Sequence, residues 1–183
     1  MTKKEKVYRD NRTHLIRANW TVDFVKKHLP SGSKILDLGP KNQISKRLEL
    51  EGYAVQSGYS DDLDIEFDCA SQKGYDAFTS FEVFEHMVSP MPLLKSIQAP
   101  LLITSIPLRL WFAKAYRGDL NDDAFDEHYH EFEPWQFELL LRKSGWNIEE
   151  VEYHQSYKPW SIGIRPLLRR VYPRYMLVLA SRT

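Results

Sequence analysis

The sequence predicts an α/β fold, an open and mostly parallel sheet with helices on both faces. Apolar strand-like runs alternate along the chain with segments whose apolar residues recur at helical spacing. Such alternation needs crossover connections, which make neighbouring strands parallel and cover both faces of the sheet. With 183 residues, 43% of them hydrophobic, the chain is within the size of one domain and can fill one sizeable core. A single domain over 1–183 is expected.

The elements follow in order. Ile16, Trp20 and Phe24, with Val25 and Leu29, form the apolar face of a leading helix over about 12–29, closed by Pro30-Ser31-Gly32. The strand Lys34 to Leu38 runs into Asp37-Leu38-Gly39, and a helix with Ile44 and Leu48 on one face ends at Gly52. "YAVQS", "LDIEFD" and "YDAFTSF" read as three further strands. Ser89 before Pro90 predicts a helix start, because serine caps free amides and proline has none to leave orphaned. "PLLITSIP" reads as a buried strand. Residues 108–132 are too irregular for a core element and read as a lid or acceptor loop, a common use of long loops. Pro134 starts a helix ending at Gly145, and "NIEEVEYH" and "RYMLVLAS" are closing strands.

The 25 basic and 25 acidic residues give a net charge of zero, so no global field draws the protein to nucleic acid or an anionic membrane. A single cysteine, Cys69, excludes an internal disulfide and a cysteine-rich zinc site. No apolar signal core follows the first residues and no run reaches the roughly 20 apolar residues of a spanning helix. A cytoplasmic location is expected.

The order of elements, "ILDLG" after the first strand and "YDAFTSFEVFEHM" at 75–87 resemble class I S-adenosylmethionine-dependent methyltransferases. The branch that includes ubiquinone-pathway O-methyltransferases is the most similar, over roughly Lys34 to Gly145. The resemblance implies a Rossmann-like sheet with an antiparallel ending and S-adenosylmethionine as cofactor. It places Asp37 and Gly39 at the methionyl end, where glycine lets backbone amides approach and accepts positive φ. Lys41 and Gln43 stand about where the family has further glycines; Asn42 offsets the loss, since asparagine tolerates the left-handed region. A ribose-binding carboxylate lies roughly 20 residues past such a loop. Tyr59 occupies its place, so Asp61 or Asp62 serves, and Asp62 is favoured because it directly precedes Leu63; a solvated acidic turn is the alternative. Asp68, expected to end a third strand, would meet the adenine amine, with Cys69 packing on the ring. Ser80, Phe81 and Glu82 would flank the methionyl and sulfonium region. Glu85 and His86 match the family's "EH", a brace for the next loop or a part of catalysis.

Methyl transfer to a hydroxyl asks the protein for alignment, desolvation and a general base. His128 and His130, in "FDEHYHEFEPWQF", are the residues to supply that base, or to brace the lid. A His-x-His metal site is conceivable there. No spaced carboxylate set accompanies it, so no metal is assigned. In "SYKPWSIGIRPLLRRVYPRY", Lys158, Arg165, Arg169, Arg170 and Arg174 interleave with Tyr157, Trp160, Tyr172 and Tyr175. This stretch either recruits an acidic or phosphorylated acceptor or is a solvated face over a buried apolar stripe. Arg165 and Arg169 share a side if it is helical. The expected reaction is methylation of oxygen or nitrogen of a small-molecule acceptor, such as a saccharide; the alternative is a methyltransferase-like binding module without turnover. Neutral charge and the absence of an aromatic-proline tetrapeptide after the fourth strand argue against nucleic acid as acceptor.

Overall fold

The computed structural model of the protein describes residues 12–113, 128–155 and 163–182. Asp126, Glu127, Tyr157, Lys158, Trp160 and much of the expected lid lie outside those residues. The helices are α1 (Arg12–His28), α2 (Gln43–Leu50), α3 (Pro90–Ser96), α4 (Pro134–Lys143) and α5 (Ile164–Val171). The strands are β1 (Lys34–Asp37), β2 (Ala54–Ser57), β3 (Ala77–Phe81), β4 (Leu101–Pro107), β5 (Asn147–Gln155) and β6 (Pro173–Ser181). They form one six-stranded sheet in the order β2-β1-β3-β4-β6-β5. Its first four strands are parallel, and β6 runs antiparallel to both β4 and β5.

Consecutive strand residues point to opposite faces, and both faces are covered. Leu36, Phe78, Leu102 and Val178 join Leu93 and Leu94 of α3 and Phe137 and Leu141 of α4 in one cluster. Ile35, Ala77, Ile103 and Leu177 pack instead with Phe24 and Val25 of α1 and Leu48 of α2. The apolar runs of the sequence are therefore apolar at every position because neither face meets water.

Four expectations need correction. "LDIEFD" is not a strand: Asp62 accepts the amide of Asp64 at 2.9 Å, and its carbonyl takes the amides of Ile65 and Glu66, which curls the segment into a turn. Asp68 then opens a short 3-10 turn, Asp68–Ser71, rather than ending a strand. Ser89 precedes α3, but its side chain makes no capping bond. Asp64 accepts the amides of Val88 and Ser89, both at 2.7 Å, and ties the acidic turn to the start of α3. Finally, "IRPLLRRV" is helical, so Arg165 and Arg169 do share a side, yet no residue of α5 is buried. The apolar stripe there faces solvent, with Ile164 at 78% and Val171 at 68% exposure.

Asn42 is the N-cap of α2 and accepts from the amides of Ile44 at 2.7 Å and Ser45 at 3.2 Å. Ser45 in turn meets the backbone amide of Asn42, closing a reciprocal box. Asn42→Ala is expected to cost about 1 kcal/mol, read as a lower urea midpoint.

Candidate active site

The turn after β1 is built on Asp37. Its carboxylate is buried and accepts from Ser45 Oγ at 2.8 Å and Thr79 Oγ1 at 3.1 Å. Burial pushes its pKa up to about 6, against hydrogen bonds from Ser45, Thr79 and the Gly39 amide that pull it down. Asp37 thus clamps β1, β3 and α2 together. Gly39 is not in the left-handed region, and a Cβ there would find its nearest atom, on Val83, at 3.7 Å. Asn42 is extended at φ −132°, so it caps the helix and does not substitute for a left-handed glycine. Lys41 turns away to pair with Glu49 at 2.7 Å. The loop is closed by this polar cap.

The end of β2 lies against the 68–71 turn. A Cβ on Gly58 would come within 3.3 Å of Cys69 Cβ and Sγ, a contact that the sequence reading missed because glycine at a close approach carries no local pattern. Cys69 is half-buried and packs against the core cluster, and burial raises its thiol pKa, helped by the Asp68 carboxylate, which disfavours the thiolate. Asp68 is exposed beside it. Asp62 is partly buried, and one of its carboxylate oxygens holds the amide of Asp64.

At the mouth of β3 the expected residues part company. Phe81 is a core side chain and Ser80 is buried with its hydroxyl unpartnered among the described residues. Glu82 sits at φ 56°, a left-handed conformation rare for a side chain of its size and concentrated at functional sites. Its carboxylate pairs with Arg17 of α1 at 2.6 Å, and Arg17 lies over the Tyr175 ring at 5.1 Å. Burial raises the pKa of Glu82, opposed by Arg17 and Arg174. Glu85 is more extreme. Only 1% of its side chain is exposed; His86 Nε2 stands 3.9 Å from one carboxylate oxygen, and apart from its own backbone amide no described residue gives either oxygen a hydrogen bond. Burial raises its pKa well above the usual range, and the Glu82 carboxylate adds to that.

The two histidines of the 128–132 segment take different places. His130 has Nε2 at 3.2 Å from the carbonyl of Val88 and stacks on Phe132, so it braces the segment. His128 meets the His86 ring edge to face at 4.7 Å between centroids. The backbone amides of Tyr129 and His130 both donate to the carbonyl of Glu85, at 2.8 and 3.1 Å, which fixes the segment over the mouth of β3. Arg17 and Arg174 were not assigned to this region from sequence. They come from α1 and β6, and only the folded sheet brings them to the two glutamates.

No family model and no curated protein sequence matches the chain. Solved structures do match it. An S-adenosylmethionine-dependent methyltransferase from Mesorhizobium loti superposes with a TM-score of 0.63 at 17% identity, over 90% of this chain and 98% of its own. Magnesium protoporphyrin IX methyltransferase from Synechocystis gives 0.58 at 13%, over 93% and 84%. A Listeria monocytogenes protein proposed to be such a methyltransferase gives 0.61 at 13%, over 92% and 99%. The chain has the class I methyltransferase fold. At these identities the likeness is one of fold, and it singles out no ubiquinone-pathway branch. In this methyltransferase fold the antiparallel ending β4-β6-β5 stands as expected. The carboxyl ends of β1, β2 and β3, where Gly39, Gly58 and Glu82 follow, form the side of the sheet on which open α/β folds bind ligands. Among the described residues, no helix is long and apolar enough to cross a membrane.

Proposed function

We propose that the protein is an S-adenosylmethionine-dependent methyltransferase acting on oxygen or nitrogen of a small-molecule acceptor. The observation that carries this reading is the convergence of Glu82, Glu85, His86 and His128 at the carboxyl end of β3, in a fold that Synechocystis magnesium protoporphyrin IX methyltransferase uses with the cofactor or its demethylated product bound. The residues present fit such a nucleoside: an exposed Asp68 beside a half-buried Cys69, and a buried Ser80 hydroxyl without a partner among the described residues. Asp68 would accept from the adenine amine, Cys69 pack on the ring, Asp62 accept a ribose hydroxyl, and Glu82 face the methionyl amine. Asp37 acts through the turn that it holds, and Phe81 through packing. Bound there, S-adenosylmethionine supplies an electrophilic methyl on sulfur. The protein's own part is alignment, exclusion of water, and an exit for the acceptor's proton at the Glu85–His86–His128 cluster. A saccharide hydroxyl is one acceptor that this arrangement suits.

Titration of the purified protein with S-adenosylhomocysteine and S-adenosylmethionine tests the reading. Micromolar binding is expected, with Asp62→Ala and Asp68→Ala each weakening it at least about tenfold, or about 1.4 kcal/mol. No binding at millimolar ligand would sink it. One observation favours the second reading, a binding module without turnover. Asn42 already occupies the amides of Ile44 and Ser45, which a helix N-terminus would otherwise offer to the methionyl carboxylate. Tight cofactor binding with no S-adenosylhomocysteine released on a broad acceptor panel would support that module.

A further inference from the structure

We propose that Glu85, His86 and His128 form a binding site for one divalent transition-metal ion of the zinc type. One ligand atom from each of the three lies within 4.8 Å of the others, a spacing that a single ion can span. Glu85 and His86 are consecutive in sequence, whereas His128 comes from a segment 42 residues further on. The two amides donated to the Glu85 carbonyl hold that segment in place. The arrangement is thus built into the backbone and does not depend on a chance approach of long side chains.

A second observation points to an ion. A carboxylate that is 1% exposed and takes no hydrogen bond from any other described residue is costly to bury. His86 Nε2 stands 3.9 Å from Glu85 Oε1, beyond hydrogen-bond reach. The two arginines whose charge reaches Glu85 are engaged elsewhere, Arg17 with Glu82 and Arg174 with the carbonyl of Leu108, while Glu82 adds a second negative charge. A dication bound to Glu85 would complete the oxygens and offset the paired glutamates. Two imidazoles and one carboxylate select Zn²⁺, Fe²⁺, Co²⁺ or Ni²⁺ over Mg²⁺ or Ca²⁺, which favour oxygen donors. Three protein ligands leave positions open, as in catalytic rather than structural zinc sites.

The binding claim stands whether or not the chain transfers methyl groups. Its use rests on the proposed activity: with the ion bound the cluster would supply ligands and not the proton acceptor. An acceptor hydroxyl on an open position would ionise more readily with its proton passing to solvent, and its oxygen would then bond to the methyl carbon as the carbon–sulfur bond breaks and S-adenosylhomocysteine leaves.

The test is equilibrium binding to tag-free protein stripped with EDTA, without cofactor or acceptor. Zn²⁺ is titrated against a chromophoric chelator, and Co²⁺ is used for its visible absorption. One ion per chain is expected, with Glu85→Gln and His128→Ala each weakening Zn²⁺ binding at least about tenfold and dimming the Co²⁺ bands. His154→Ala, on a ring that stacks with Trp20, should leave both unchanged. Absence of stoichiometric Zn²⁺ binding at micromolar protein would overturn the proposal, as would binding that survives both ligand substitutions. His128 is only partly buried, so His128→Ala keeps the test valid if Glu85→Gln does not fold.

Discussion

Between about pH 3 and 7 the protein is expected to lose about 3 kcal/mol of folding stability through Asp37 alone as the pH rises. The buried carboxyl has its pKa lifted from 3.8 to about 6 in the folded state, so the folded chain holds that proton more tightly than the unfolded chain. The contribution is therefore complete below the unfolded value and lost as the pH climbs through the folded one, the reverse of a salt-bridged aspartate. At about 1.4 kcal/mol per unit, the rise from 3.8 to about 6 gives the figure above. Glu82 and Glu85 are raised as well and act in the same direction. Asp37→Asn keeps the shape and, because the Ser45 and Thr79 hydroxyls can turn to accept, most of the bonding. Relative to wild type it should gain stability steadily from pH 4 to 6.5 in urea unfolding. Parallel profiles for the two proteins would mean that Asp37 titrates normally.

Trp146→Ala is expected to cost about 3–5 kcal/mol, among the largest effects of any single change in the core. The indole is 1% exposed, and its Nε1 donates to the carbonyl of Leu94 at 3.0 Å, so both its bulk and its polar atom are in use. Arg182 lies over the ring at 4.4 Å and donates to the carbonyls of Leu94, Lys95, Ile97, Ser144 and Gly145. Those carbonyls are at and just beyond the ends of α3 and α4, where a cation also meets the negative pole of each helix. Trp146→Phe should lose only about 1 kcal/mol, because Arg182 still satisfies the Leu94 carbonyl. Equal losses for the two variants, read from urea midpoints, would contradict this account.

The strands and helices that were legible in the sequence are those whose periodicity follows from burial. The alternation in "LDIEFD" misled because Asp62 spends its carboxylate on the amide of Asp64, a local bond that outcompetes a ladder, and Asp64 spends its own on the distant amides of Val88 and Ser89. That Lys41, Asn42 and Gln43 follow Gly39 and Pro40 after β1 was visible, but what Asn42 does there was not: it acts as a cap, and the caps of helix and turn are set by φ and ψ, not by composition. At the mouth of β3, the pairing of His128 with Glu85-His86 could not be read from spacing. Nor could the separation of His128 from His130, since the two neighbours differ only in which way the chain turns above Glu85. Arg17 and Arg174 had no sequence signal tying them to Glu82 and Glu85.

β6 follows β5 in the chain yet lies between β4 and β5 in the sheet. The consequence is one of timing. Until residues 173–181 arrive, β5 has no partner in the sheet and β4 keeps an open edge beside its parallel neighbour β3. A chain emerging in order from its N-terminus must therefore hold half of its final sheet in suspense, with the apolar edge of β4 available to other chains. The nucleation of that half is non-local by construction, and the slow step in refolding should be the insertion of β6.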